Sequence, residues 1–335
     1  MERRPEGLTI RDVARHANVG VGTVSRVLND SPLVSEETRR RVRRTIDELG
    51  YRRSATARNL SLGRTQTIGV VTPFVTSASV HERLRGVVAR LQREGEYDLL
   101  LFDATTAAQR ADAFRDFISS DRVDGALVIS LQPSDDEVEQ LQRAALPVVL
   151  VDAHHRSLPS VAIDDAHGGE LAADHLLARG HRRIGFVGDA PNPLGFSSSE
   201  ERSRGMRRRL ARAGITGGAT LEALGPHGRA EAQALALELL RGAEPPSAIF
   251  AASDLQAMGV LQAARSLGLR VPEDLAVIGF DDLDVADVLG LSTVRQPLRD
   301  TGLRGTDMLL DALRGGSAGA TQVLVPLNVV ARSTT

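Results

Sequence analysis

The chain has 335 residues, 42% hydrophobic and 25% charged, enough to bury a large α/β core with a small module attached and too many for a miniature disulfide scaffold. Cysteine is absent, which excludes disulfides, thiolate metal sites, iron–sulfur clusters and a cysteine nucleophile, and fits a reducing compartment such as the cytoplasm. The net charge of −2 hides an asymmetry, because residues 1–64 carry 14 Arg against 8 acidic residues, a net +6, and the remainder carries a net −8.

The first 65 residues show three short helices. Thr9 is the N-cap of the first, with Asp12 three positions on, and Ile10, Val13 and Ala14 form its apolar face; it ends near Ala17 and Asn18. A second runs from about Val21 to Asn29, with Val24, Val27 and Leu28 at core spacing and Thr23, Ser25 and Arg26 turned outward. The third starts at Ser35, carries Glu36 and Glu37 in its first turn, and stops before Gly50. Two short helices joined by a tight turn and braced by a third make a helix-turn-helix, whose second helix enters the major groove. A basic module on an acidic body suits a polyanion such as nucleic acid; a solvated basic helix face is the plainer alternative.

From Thr67 onward, short apolar runs (TIGVV, DLLLF, GALVIS, PVVLVD, RIGFVG, AIFAA, LAVIGF) alternate with helical patterns at Val80–Glu94, Ala107–Ser119, His167–Arg179, Ser199–Ala213, Arg229–Arg241 and Asp254–Leu267. Such alternation implies parallel sheets with helices on both faces, which bind ligands beyond the carboxyl ends of their strands. About 270 residues are near the limit for one core, so two lobes with a cleft are expected. No apolar run approaches the roughly 20 residues of a membrane helix, and Met1–Gly7 is charged with no apolar segment behind it, so neither membrane insertion nor export is expected.

LTIRDVARHANVGVGTVSRVLND followed by VSEETRRRVRRTIDELGY resembles the head of the lactose-repressor (LacI/GalR) family of bacterial transcription regulators. The resemblance continues through TIGVVTP, VDGALVIS, GHRRIGFVG, VPEDLAVIGFDD, STVRQP and ARSTT. It implies an α/β protein: a small all-α helix-turn-helix head plus a two-lobed doubly wound core of the periplasmic-binding-protein type. It places the head at 1–53, a hinge helix at 54–65 and the core at 66–335. The N-lobe takes about 66–164 and 297–325, and the C-lobe about 165–296 and 326–335, with crossovers near Asp164, Gln296 and Val325.

In the head, the resemblance assigns base reading to Val21 and Gly22. Val21 offers only contact with a thymine methyl and Gly22 has no side chain, so Arg26 becomes the expected direct reader of a guanine edge. Thr23, Ser25, Thr9 and Asn29 would fix register on phosphates, pure capping being the alternative for Thr9 and Asn29. Tyr51 opens the hinge segment, where Ala57 would pack against a dimer mate and Leu60 wedge into a minor-groove step, or serve only as a core leucine. Arg53 and Ser54 replace the family's usual Pro-Asn, leaving the N-cap to Ser54.

For the body, the resemblance implies effector contacts at Asp152, Arg202, Ser253 and Asp281. Asp152 and Asp254 could equally be helix caps, whereas Asp282 is expected to cap and so frees Asp281. Ser77, Ala78, Ser79 and Val80 stand where the family often has Asn-Pro-Phe-Phe, and His227 where it often has an aromatic. Phe74 and Phe196 remain for stacking, which disfavours a purine and favours a sugar or sugar phosphate.

Other readings fare worse. GVGTVS follows a helix and lacks the third glycine of a dinucleotide fingerprint, and adjacent His154 and His155 cannot form an i, i+4 metal pair, so neither an enzyme nor a metal or cofactor site is expected. A solute-binding protein without a DNA role shares the body but would have no use for the basic head. The expectation is a homodimeric repressor on a pseudo-palindromic operator, without the heptad tail of tetrameric relatives.

Overall fold

Each head helix has its own start signal. The computed structural model describes residues 8–51, 64–119, 122–191, 198–215, 220–316 and 319–335. Helix α1 (Ile10–His16) begins after Thr9, whose N–H and hydroxyl donate to the Asp12 carboxylate at 2.9 and 2.7 Å. Helix α2 (Val21–Leu28) starts after Gly20, and α3 (Glu36–Leu49) after Ser35, whose side chain accepts from Thr38 N–H; α3 ends on Gly50 at φ +62°. Val13, Ala14, Val24, Val27, Val42 and Tyr51 form the head's core. The chain divides into two compact units, Met1–Thr65 and Gln66–Thr335.

The body holds two six-stranded sheets. The first contains β1 (Thr67–Thr72), β2 (Asp98–Asp103), β3 (Gly125–Ile129), β4 (Val148–Val151), β5 (Ser160–Ala162) and β11 (Gln322–Leu324). The second contains β6 (Ile184–Asp189), β7 (Thr220–Gly225), β8 (Ala248–Ala251), β9 (Ala276–Asp281), β10 (Ser292–Arg295) and β12 (Asn328–Val330). Their orders, 11-5-4-3-1-2 and 12-10-9-8-6-7, are the same topology twice, parallel throughout except that β12 runs antiparallel to β10. Strands β3, β4, β8 and β9 are buried along their whole length because helices cover both faces, which is why they appear in the sequence as unbroken apolar runs.

The covering helices are α4 (Ala78–Glu94), α5 (Ala107–Ser119), α6 (Asp135–Arg143), α7 (Asp165–Ala178), α8 (Ser198–Arg212), α9 (Arg229–Leu240), α10 (Asp254–Ser266), α11 (Asp284–Val288) and α12 (Leu298–Leu313). The chain passes between the sheets after β5, after β10 and after β11. Sequence patterning does not pick out α6, α11, α12, β5, β7, β10, β11 or β12. In α12 the inward stripe includes Gly302, Thr306 and Gly305, which dilutes its apolar signal.

Those glycines serve close helix crossings. A Cβ on Gly86 of α4 would lie 2.1 Å from the Arg299 carbonyl oxygen of α12, and one on Gly302 would lie 2.0 Å from that of Arg83. The second lobe repeats this: Cβ atoms on Gly169 and Gly205 would lie 1.9 and 1.8 Å from the carbonyl oxygens of Arg202 and Ala166. Backbone cannot yield as a flexible side chain can, so Gly205→Ala should destabilise the body by about 3 kcal/mol. Chemical denaturation of the purified variant checks this, and a change near zero would mean that α7 and α8 separate freely.

Candidate functional site

On the head, Val21, Gly22 and Arg26 are exposed on α2, and Thr23 and Ser25 are half-buried beside them. Val21 is 42% exposed, and a Cβ on Gly22 would meet nothing within 4 Å. Asn29 is exposed at the C-cap of α2. The Thr9 hydroxyl is engaged by Asp12, and that hydrogen bond holds the Asp12 carboxyl below its ordinary range. Tyr51 is buried in the head's core. Arg53, Ser54, Ala57 and Leu60 lie outside the described residues.

In the body, the carboxyl ends of both sheets face a cavity of about 710 Å³. Parallel sheets with this strand order leave a crevice where the order reverses, between β1 and β3 and between β6 and β8. Phe74, Ser79, Asp152, Arg202, Ser253, His227 and Asp281 all line the cavity, while Phe196 lies outside the described residues. The backbone is bent where strands end at the cavity: Phe74, Ser130, Asp152 and Asp281 have φ of +53°, +53°, +58° and +119°. Non-glycine residues hold that conformation at a cost of order 1–3 kcal/mol each and concentrate at ligand sites.

A buried polar chain runs along the cavity wall from one sheet to the other. Asp152 accepts from the Ser130 hydroxyl at 2.7 Å and from Arg83 Nη2 at 2.7 Å. Arg83 Nη2 also donates to Gln296 Oε1 at 3.0 Å, and Gln296 Nε2 donates to Asp281 Oδ1 at 2.5 Å. Arg83 and Arg202 are both nearly out of solvent. Arg202 Nε donates to Asp165 at 2.8 Å, its Nη1 to the Ala252 carbonyl at 2.6 Å, and its guanidinium lies 3.6 Å from the centroid of the Phe280 ring. On the far wall Asp189 accepts from His227 Nδ1 at 3.0 Å and from Gln256 Nε2 at 2.9 Å.

Arg83, Gln296, Asp165 and Asp189 were missed by sequence reasoning. An internal repeat marks the first: Glu82-Arg83-Leu84-Arg85-Gly86 on α4 matches Glu201-Arg202-Ser203-Arg204-Gly205 on α8, at equivalent places in the two lobes. The capping expectations divide. Asp152 caps no helix and holds Arg83. Ser253 is the N-cap of α10, accepting from Gln256 N–H at 3.2 Å, so Asp254 is released to hold Leu283 N–H and the Thr293 hydroxyl at 2.8 and 2.7 Å. Asp282, expected to cap, instead pairs with Arg295 and Arg332, and Leu283 occupies the N-cap of α11.

Burial pushes Asp165 up to about 6 against the pull of Arg202, and Asp254 up to about 8 with help from the Asp281 charge; burial also raises Asp281. The bond to Asp189 raises His227. Each folded value lies above the unfolded one, so the stability each group contributes is complete below its unfolded value and is withdrawn as pH climbs through its folded value. Between about pH 7 and 8, above the range in which His175 and His181, lowered by burial, act in the opposite sense, melting temperature should therefore fall as pH rises, and Asp254→Asn should flatten that fall. A rising melting temperature over this range would contradict the assignment. Among the described residues no cluster of His, Asp and Glu is placed to hold a metal ion, and no helix is long and apolar enough to cross a membrane.

Comparison with known proteins agrees with this architecture. Residues 9–54 match the family described as bacterial regulatory proteins, lacI family, and residues 173–335 match the periplasmic binding protein-like domain. The chain is 32% identical to the HTH-type transcriptional repressor CytR of Escherichia coli K12, covering 100% of this chain and 98% of that protein. It is 31% identical to catabolite control protein A of Priestia megaterium, covering 98% and 99%. Among solved structures, the lac repressor dimer bound to operator and the anti-inducer ONPF superposes with a TM-score of 0.87 at 26% identity, covering 98% and 99%. The complex of the transcriptional regulator CelR with cellobiose gives 0.72 at 30%, covering 98% and 100%. With a helix-turn-helix head ahead of a two-sheet body, and similarity along the whole chain, this protein belongs to the lacI family of bacterial regulatory proteins.

Proposed function

We propose that the chain is a cytoplasmic, non-enzymatic repressor that seats paired heads on a pseudo-palindromic operator as a homodimer and answers to a hydroxyl-rich, sugar-like effector held in the body's cavity. The polar chain Ser130–Asp152–Arg83–Gln296–Asp281 carries this reading, because it joins both sheets at the cavity. A ligand exchanging hydrogen bonds with that chain favours one arrangement of the lobes over another, and such a population shift is how binding in a cleft alters a distant function. Asp281 and Arg202 supply acceptor and donor for vicinal hydroxyls. On DNA, Arg26 reads a base edge, Val21 meets a thymine methyl, Thr23, Ser25 and Asn29 set register, and Ala57 and Leu60 act at the hinge, while Thr9, whose N–H and hydroxyl both go to Asp12, serves as the cap of α1.

Gel retardation with fragments from the gene's own neighbourhood, with and without sugars, tests the whole reading. The full chain should retard a fragment and release it on addition of one sugar. Removing residues 1–65 should abolish retardation while the same sugar still raises the melting temperature of the remaining body. A full chain that ignores all such DNA at low ionic strength, yet binds a sugar, would favour a solute-binding protein.

A further inference from the structure

We infer that the cavity admits a hydroxyl-rich ligand without anionic groups and turns away its phosphate ester, and that Asp152 and Asp165 set this selectivity by balancing the charge of the arginines that a phosphate would need. The inference rests on the effector reading above. Every charged side chain described at the cavity speaks to it. The two guanidiniums, of Arg83 and Arg202, are buried and each is bound to a carboxylate, Arg83 to Asp152 at 2.7 Å and Arg202 to Asp165 at 2.8 Å. Arg202 spends a further donor on the Ala252 carbonyl and lays its face on Phe280. The imidazole of His227 is bound to Asp189. Asp281 then remains with an amide as its partner, Gln296.

Four carboxylates thus face two guanidiniums and one imidazole. The charge of each buried guanidinium is already balanced by a carboxylate, so although donors such as Arg83 Nε are left without a partner, an arriving phosphate brings a surplus negative charge beside Asp152 or Asp165 in the protein interior and also meets the charge of Asp281 at close range. A neutral polyol escapes both penalties: its hydroxyls donate to Asp281, Asp189 and Asp152, all of which line the cavity. The chain contains Arg as its only basic residue apart from His, so no lysine can add a compensating charge.

The test compares wild type with Asp152→Asn and Asp165→Asn, each close in shape to the original. Thermal shift is read against inorganic phosphate at matched ionic strength and against paired probes, ribose with ribose 5-phosphate and glucose with glucose 6-phosphate. In wild type, phosphate should give no shift beyond chloride, and any pair that binds should bind through its free sugar. In either variant the freed guanidinium should bind phosphate at least about tenfold more tightly than wild type does. The gain in Asp152→Asn should vanish when Arg83→Met is added. Wild type stabilised more by an ester than by its free sugar overturns the inference, as does the absence of a phosphate gain in both variants when circular dichroism shows them folded. If phosphate is excluded and the variants gain it while no sugar of any kind binds, the charge selectivity stands and the sugar-effector reading falls. If sugar and ester bind wild type equally, the effector reading stands and the selectivity falls.

Discussion

Arg202→Met should cost about 3–5 kcal/mol of body stability and remove the effector response. Three groups depend on this one guanidinium: the Asp165 carboxylate, the Ala252 carbonyl and the face of Phe280. Taking away one partner of a buried ion pair leaves the other charge without compensation, which is where the figure of about 3–5 kcal/mol comes from. Asp165, already raised by burial, then loses the attraction that opposed its protonation, so its value should climb further and the decline of stability with pH should steepen. A second substitution separates structure from function. In Arg202→Met with Asp165→Leu no charge is stranded, and apolar replacement of a buried pair is often neutral, so most of the stability should return. The response to sugar should not return, because the hydrogen-bond donors are gone. Urea denaturation together with operator release measures the two effects. Recovery of both in the double variant would show that Arg202 is structural and takes no part in effector binding.

What the sequence disclosed depended on how evenly each element is surrounded. Strands β3, β4, β8 and β9 are covered on both faces and stand out as apolar runs. Strands β5, β11 and β12 have three residues each, and β11 is largely exposed at a sheet edge, too short and too wet to give a period. Helix α6 was legible in principle, since Ser134 and Glu137 form a capping box, yet its nine residues fall below the length at which periodicity is persuasive. In the cavity, Asp152, Arg202, Ser253 and Asp281 came from similarity to other repressors, while their partners did not. Gln296 sits in the STVRQP block but draws its meaning from Arg83, 213 positions away. The pairing of distant charges is a product of topology. Only the Glu-Arg-x-Arg-Gly repeat at Arg83 and Arg202 carried a local trace of it.

Arg26→Ala should weaken binding to the preferred operator by roughly 5- to 150-fold, the range for losing one good bidentate contact to a base, and leave binding to unrelated DNA almost unchanged. Position as well as charge singles this arginine out, because Arg11 on α1 and Arg40 and Arg41 on α3 are also exposed without a side-chain partner among the described residues but lie off α2. Arg39 and Arg43 are drawn to Asp30, and Arg15 to Asp12. Arg26, on the exposed face of α2, makes no side-chain hydrogen bond or ion pair among the described residues, so its fork is free for a partner outside the head. Its neighbours Val21 and Gly22 offer no polar group, which concentrates hydrogen-bonded discrimination on one side chain. Ser25→Ala provides the contrast: a phosphate contact carries no sequence information, so its loss should lower affinity for every fragment about equally. Salt dependence decides between roles. A base-reading Arg26 leaves the slope of log affinity against log salt nearly unchanged, whereas a phosphate-bound one reduces it by about one. Equal loss on all sequences with a shallower slope would move Arg26 from the base edge to the backbone, and specificity would then have to come from the shape of the DNA rather than from hydrogen bonds to its bases.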